Sequence, residues 1–103
     1  MDKYDGIDYE TLKASYPDCP HDSDILAAHY ETPPYEGSLW VLYRVEGGYE
    51  IMTDSHCSCY GLNGGGGNAF GTDRPLTVGE LKARMNTDIH YNKELFDKVV
   101  AYL

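Results

Sequence analysis

The densest run of chemically capable side chains is His56-Cys57-Ser58-Cys59-Tyr60-Gly61. Imidazole and thiolate are the ligands preferred by a borderline-soft ion such as zinc, and Cys19-Pro20-His21 offers a second pair from a distant stretch. Cys19, His21, His56, Cys57 and Cys59 are therefore the candidate metal ligands. Their spacing argues the other way. C-x-C and C-x-H are tighter than the usual C-x₂₋₄-C knuckle, and on a strand the backbone has to bend before Cys57 and Cys59 can chelate one ion. Free cysteine is commonly a small buried hydrophobe. Packing is thus the favoured reading: no cofactor is expected, and zinc is the alternative to test.

A nucleophilic cysteine needs a base within hydrogen-bond reach and a third group to orient that base. Neighbours on a strand point to opposite faces, so His56 is badly placed to serve Cys57. Gly64-Gly65-Gly66-Gly67 is followed by Asn68-Ala69-Phe70, without the lysine and hydroxyl residue of a P-loop. The aspartates at 18, 22 and 24 and at 2, 5 and 8 do not follow the calcium-loop pattern through to its distal glutamate. No catalytic residue is assigned, and a non-enzymatic protein is expected.

The charge is more telling. The chain of 103 residues carries 17 acidic and 8 basic side chains, a net charge of −9. Residues 1–54 hold twelve carboxylates and three bases, the entire excess, while residues 55–103 hold five of each. A protein that binds free nucleic acid needs a basic footprint to displace counterions from phosphates, so that class is excluded. A partner with a basic surface is compatible. Seven of the ten tyrosines lie in the acidic half, and tyrosine is enriched at binding hot spots because it offers rigid area with one polar tip. Boundary packing of a small core accounts for them equally well. Three cysteines, an odd number, do not describe a disulfide framework. The N-terminus lacks a basic-then-apolar leader, and no apolar run is long enough for a membrane span. A cytoplasmic setting is expected, with neither membrane nor nucleic acid as direct partner.

The elements that position these groups follow from periodicity. Residues 1–8 read as a frayed lead-in. Residues 9–16 predict a short helix with Asp8 as N-cap and Leu12 and Tyr16 on one face, stopped by Pro17. Residues 25–30 fit a strand, although their two alanines also permit a helix. Leu39 to Glu46 and Tyr49 to Asp54 form a hairpin with Gly47-Gly48 as a primed two-residue turn. Leu39, Val41, Tyr43 and Val45 share one face of its first strand; Trp40 and Leu42 make the other face partly apolar, so that something is expected to cover it. Residues 55–60 are candidates to continue the sheet. Residues 61–71, six of them glycine, read as a flexible loop. Thr77 and Glu80 match a capping box, opening a helix with Val78, Leu81 and Met85 on one stripe that Asn86-Thr87-Asp88 ends. Leu95, Phe96, Val99, Val100 and Leu103 define a last amphipathic helix.

The segments Asp24-Ile25-Leu26-Ala27-Ala28-His29-Tyr30, Tyr35-Glu36-Gly37-Ser38-Leu39-Trp40-Val41-Leu42-Tyr43 and His56-Cys57-Ser58-Cys59-Tyr60-Gly61-Leu62 resemble a group of small proteins encoded by bacteriophages and bacteria. The C-terminal helix is similar too, so the resemblance spans about residues 24–103. After Leu62 this chain departs, with Asn63 and four glycines where the group carries an acidic, tryptophan-containing segment. The resemblance implies a strand over 25–30 and a phage or prophage setting. It implies no activity.

The expected fold is α+β in a single domain over 1–103: a small antiparallel sheet, a β-meander of three to four strands, packed with two to three helices. The expected function is that of a phage-associated acidic protein that binds and inhibits a host factor, an anti-CRISPR-like role in which the acidic half mimics nucleic acid. Asp18, Asp22, Asp24, Tyr30, Glu31, Tyr35 and Glu36 are the candidate partner-binding residues. A homodimer is also compatible with the sequence. The alternative is a zinc-binding or cysteine-dependent module centred on His56, Cys57 and Cys59.

Overall fold

The computed structural model describes residues 3–32, 36–57, 61–63, 69–70, 75–88 and 92–103, the side chains of Cys57, Met85, Asn86 and Asp88 excepted. These residues form strands β1 (Tyr4–Asp5), β2 (Ile25–Glu31), β3 (Glu36–Val45) and β4 (Gly48–Cys57). The α-helices are α1 (Tyr9–Ser15), α2 (Val78–Asp88) and α3 (Lys93–Val100), with a 3-10 turn at Asp22–Asp24. The fold is α+β.

The sheet runs β1-β2-β3-β4, and β2, β3 and β4 form the expected antiparallel meander. It is mixed rather than wholly antiparallel, because β1 pairs parallel to β2. The chain between them crosses over through α1, and a crossover of that kind returns a strand in the same direction. Residues 3–8 are correspondingly not a frayed lead-in. The polar side chains that suggested fraying fasten the segment instead: Lys3 Nζ donates to the carbonyls of Asp22 and Ile25 at 2.6 and 3.0 Å, and Lys3 O accepts from Ala28 N at 2.8 Å.

Both faces of the sheet are covered. One carries Leu39, Val41, Tyr43 and Met52 against Leu12, Tyr16 and Cys19 from α1 and the segment after it. The other carries Ala27, Trp40, Leu42 and Ile51 against Leu81 of α2 and Leu95, Phe96, Val99 and Val100 of α3. The cover expected over Trp40 and Leu42 is thus the C-terminal helices, with the Phe96 ring edge-on to Trp40 at 5.6 Å. A bulge at Leu26 lets Ile25 and Ala28 face α1 while Ala27 faces α3, an arrangement that strict alternation forbids.

Local signals behave as their chemistry requires. Asp8 caps α1, accepting from Thr11 N at 2.7 Å, and Leu12 and Tyr16 are fully buried. Thr77 and Glu80 form the reciprocal capping box at 3.2 Å in each direction. The hairpin turn differs from expectation. Val45 pairs with Gly48, so the turn residues are Glu46 and Gly47, and only Gly47 has a positive φ, 86°. Gly48 belongs to the strand for another reason: a β-carbon there would meet Leu76 O at 2.7 Å. Residues 86–88 also differ, continuing α2 rather than ending it. Asn, Thr and Asp cost a helix only a few tenths of a kcal/mol each, and the Thr87 hydroxyl bonds back to Arg84 O at 3.2 Å. Of the loop expected over 61–71, residues 64–68 and 71 lie outside the described residues. Among the described residues, no helix is long and apolar enough to cross a membrane.

Candidate partner-binding surface

The side chains of Tyr4 and Tyr9 reach the segment that leads into and forms the 3-10 turn. Tyr9 Oη donates to Pro20 O at 3.0 Å and stacks obliquely on Tyr4, centroids 6.3 Å apart. Tyr4 in turn donates to Asp22 Oδ1 at 2.5 Å. Asp22 and the exposed Asp24 lie in the turn that leads into β2, and the exposed Asp8 and Glu10 flank Tyr9 at the start of α1. Burial, and after it the neighbouring Asp22 carboxylate, pushes the Tyr4 phenol well above its ordinary range, and Tyr9 is raised in the same direction. The Tyr4 hydrogen bond and the Lys3 ammonium, 3.4 Å from Oδ1, hold Asp22 below the usual carboxylate range. Asp22 is thus an ionised carboxylate edged by the two phenols.

The remaining candidate residues do not join it. Asp18 is turned inward, its two oxygens accepting from Ala69 N at 3.0 Å and Phe70 N at 2.7 Å. That clamp seats the Phe70 ring edge-on against Tyr16 and Tyr43, at 5.7 and 5.2 Å. Glu31 and Glu36 lie at the far end of β2 from Asp24, roughly 20 Å away at about 3.3 Å of rise per residue. Tyr35 lies outside the described residues.

Tyr30 belongs to a polar row on the α1 side of that far end. Its hydroxyl stands 2.6 Å from His56 Nε2. The imidazole packs over Gly37, where a β-carbon would come within 2.3 Å of Nε2, so any side chain there would have to displace the ring. Beside it the buried Tyr16 donates to Asp54 Oδ2 at 2.5 Å, and Asn63 N donates to the same oxygen at 3.2 Å. Burial, then the Asp54 hydrogen bond, raises the Tyr16 phenol far above its ordinary value.

Of the thiols and imidazoles singled out from the sequence, the side chains of Cys57 and Cys59 lie outside the described residues. Cys19 is a free, buried thiol in the core beneath α1, raised to about 11 chiefly by burial. His21 is exposed and caps the 3-10 turn, its Nδ1 accepting from Ser23 N at 3.3 Å. His56 is engaged by Tyr30, and Cys59 falls outside the described residues. Among the described residues, no three His, Cys, Asp or Glu side chains come together as a metal site.

Sequence reasoning missed a different cluster. His29, in the centre of β2 and 7% exposed, places Nδ1 2.7 Å from Asp5 Oδ2 of β1. Asn92 Nδ2 donates to that same oxygen at 2.6 Å, while Asn92 Oδ1 accepts from Leu95 N at 3.2 Å to cap α3. A carboxylate only accepts, so Nδ1 carries the proton. Among the described residues, the buried Nε2 has no hydrogen-bond partner. The only sequence signal was a histidine within the apolar run 25–30; residues 5, 29 and 92 are too far apart in the chain for spacing to connect them.

Compared with protein-family models, with curated proteins and with solved structures, the chain matches none.

Proposed function

We propose that this protein works by binding, not by catalysis, and that its acidic end occupies a basic site on a host protein that otherwise holds nucleic acid. The observation that carries the reading is what the bases of the acidic half do. Lys3 directs its ammonium to the carbonyls of Asp22 and Ile25, and Lys13 directs its own to Cys19 O at 3.3 Å. Two of the three bases among residues 1–54 thereby spend hydrogen bonds on backbone, Lys3 also pairs with Asp22 at 3.4 Å, and Asp8, Glu10 and Asp24 stay exposed. Exposed carboxylates flanked by tyrosine mimic spaced phosphates beside aromatic surface. Charge of this kind speeds association and makes it salt-sensitive. The resemblance to phage-encoded proteins favours a host factor as target and an inhibitory, anti-defence outcome.

The footprint that best serves this reading is Asp22 and Asp24 together with Asp8 and Glu10, rather than the longer set that included Asp18, Glu31 and Glu36. The test is affinity capture from host lysate at low and high salt. The expected result is a nucleic-acid-binding protein retained at low salt and released by salt or by duplex DNA. Retention indifferent to both would overturn the reading.

A further inference from the structure

We propose that Asp18 is a receptor for an arginine side chain of a partner protein, and that the Ala69-Phe70 segment occupies it as a built-in competitor. The carboxylate offers its two oxygens to two consecutive amides, Oδ1 to Ala69 N at 3.0 Å and Oδ2 to Phe70 N at 2.7 Å. Two N–H donors, one on each oxygen, are the fork by which a guanidinium binds a carboxylate. The backbone copies that fork without its charge.

The charge itself is unmatched. Asp18 is half-buried, and a charge withdrawn from water is ordinarily paired. Among the described residues no ammonium or guanidinium pairs with it; Lys3 is engaged by Asp22, and Lys13 is directed to Cys19 O at 3.3 Å. The surface next to the carboxylate suits the same ligand. Phe70 makes T-shaped contacts with the rings of Tyr16 and Tyr43 at 5.7 and 5.2 Å, and both tyrosines are buried. A guanidinium stacks on tyrosine as well as forking a carboxylate, whereas a lysine ammonium is a point charge without the fork. Arginine is therefore the ligand.

Little holds the competitor in place. Gly64 to Gly67 and Gly71 carry no side chain, so between Asn63 and Thr72 only Asn68, Ala69 and Phe70 have one to pack. The amides of Ala69 and Phe70 bond Asp18 alone among the described residues, and neither residue belongs to a helix or strand. Segments attached by so few contacts are drawn from the low-stability end of a fold. Lifting this one breaks two hydrogen bonds and the contacts of one ring, and an incoming guanidinium restores both hydrogen bonds while adding the opposite charge. The apparent affinity is then the intrinsic affinity reduced by the fraction of molecules in which the segment is lifted. Weakening the segment's hold tightens binding, which is the signature of a competitor.

This site uses none of Glu10, Asp22 and Asp24, so it and the docking of those carboxylates can fail separately. The test is to follow the amide resonances of residues 69 and 70 as a capped tripeptide, arginine between two glycines, is added. Its lysine counterpart serves as the second probe. The arginine peptide should shift both amides and speed their exchange with solvent, and the lysine peptide should leave them in place. Phe70→Ala should bind the arginine peptide several-fold more tightly than wild type, and Phe70→Leu, a smaller change in packing, gives the same direction whether or not the alanine variant folds. Asp18→Asn should lose the binding. Amides unmoved by the arginine peptide in the wild type and in the Phe70 variants overturn the proposal. So does an equal response to the two peptides, or a folded Asp18→Asn variant that binds as tightly as wild type.

Discussion

The Asp5 carboxylate lies 2.7 Å from Nδ1 of the buried His29, and the same oxygen accepts from Asn92 at 2.6 Å. One oxygen thus joins β1, the centre of β2 and the cap of α3. Replacing Asp5 by Ala leaves a buried imidazole N–H without an acceptor, in a ring whose Nε2 already lacks a partner among the described residues. The expected loss is about 1–3 kcal/mol, read from urea unfolding. Asp5→Ala combined with His29→Leu should cost less than the sum of the single changes, because removing both polar partners removes the unmet bond.

Asn92 caps α3 from the left-handed region, with φ 52° and ψ 48°. Asn92→Ala loses the cap and places a β-branch-free but still unfavourable side chain at positive φ, with an expected cost of about 1–2 kcal/mol. Asn92→Gly loses the cap but suits the backbone, and should recover part of that loss. Equal thermal midpoints for the two variants would mean that the dihedral contributes nothing.

Much of the fold was legible because its signals are local. The Asp8 cap, the Thr77–Glu80 box and the stripe from Leu95 to Val100 need only neighbours in sequence to be read. The two-faced hydrophobicity of β3 announced a layer on each side, and both layers are present. What was not legible depends on distant partners. Tyr4–Asp5 becomes a strand only because Ala28 and His29 lie alongside it. Gly48 is required by Leu76, not by the turn, which displaced the expected turn by one residue. The candidate surface suffered most. Asp18 looked like free charge and is a clamp on Ala69 and Phe70. The span of β2 separates Glu31 and Glu36 from the acidic end.

Stability should fall at both extremes of pH, for different groups. The Tyr4 hydrogen bond, aided by Lys3, depresses Asp22 in the folded state, and the backbone hydrogen bond from Thr11 depresses Asp8. A carboxyl depressed by folding contributes stability above its unfolded value, near about 3.9, and that contribution is lost as pH falls through the folded value. Tyr4→Phe should flatten this acid limb in urea melts taken from neutral to acid pH.

At high pH the sign reverses. Burial, and then hydrogen bonding to Asp22 and Asp54, raises the phenols of Tyr4 and Tyr16. The folded state keeps protons that the unfolded chain releases near about pH 10, so stability is lost as pH rises above that point. Phenolate absorbance should show these two tyrosines ionising only with unfolding, and early ionisation of both in folded protein would contradict their placement.

Burial sets the Cys19 thiol at about 11, so little thiolate forms at neutral pH. Peptide-level mass spectrometry after brief treatment with a thiol reagent should find Cys19 unmodified in the folded protein and modified in denaturant. Rapid labelling under native conditions would place it outside the core beneath α1.

The account turns on whether the acidic end is the docking surface. The most direct measurement is the affinity of the captured host protein for wild type and two charge-reversal sets in the presence of duplex DNA. Reversing Glu10, Asp22 and Asp24 to lysine should abolish binding, whereas reversing Glu31 and Glu36 should leave it within a few-fold, and DNA should compete with the wild type. Binding unchanged by the first set, with the variant still folded, would contradict the account.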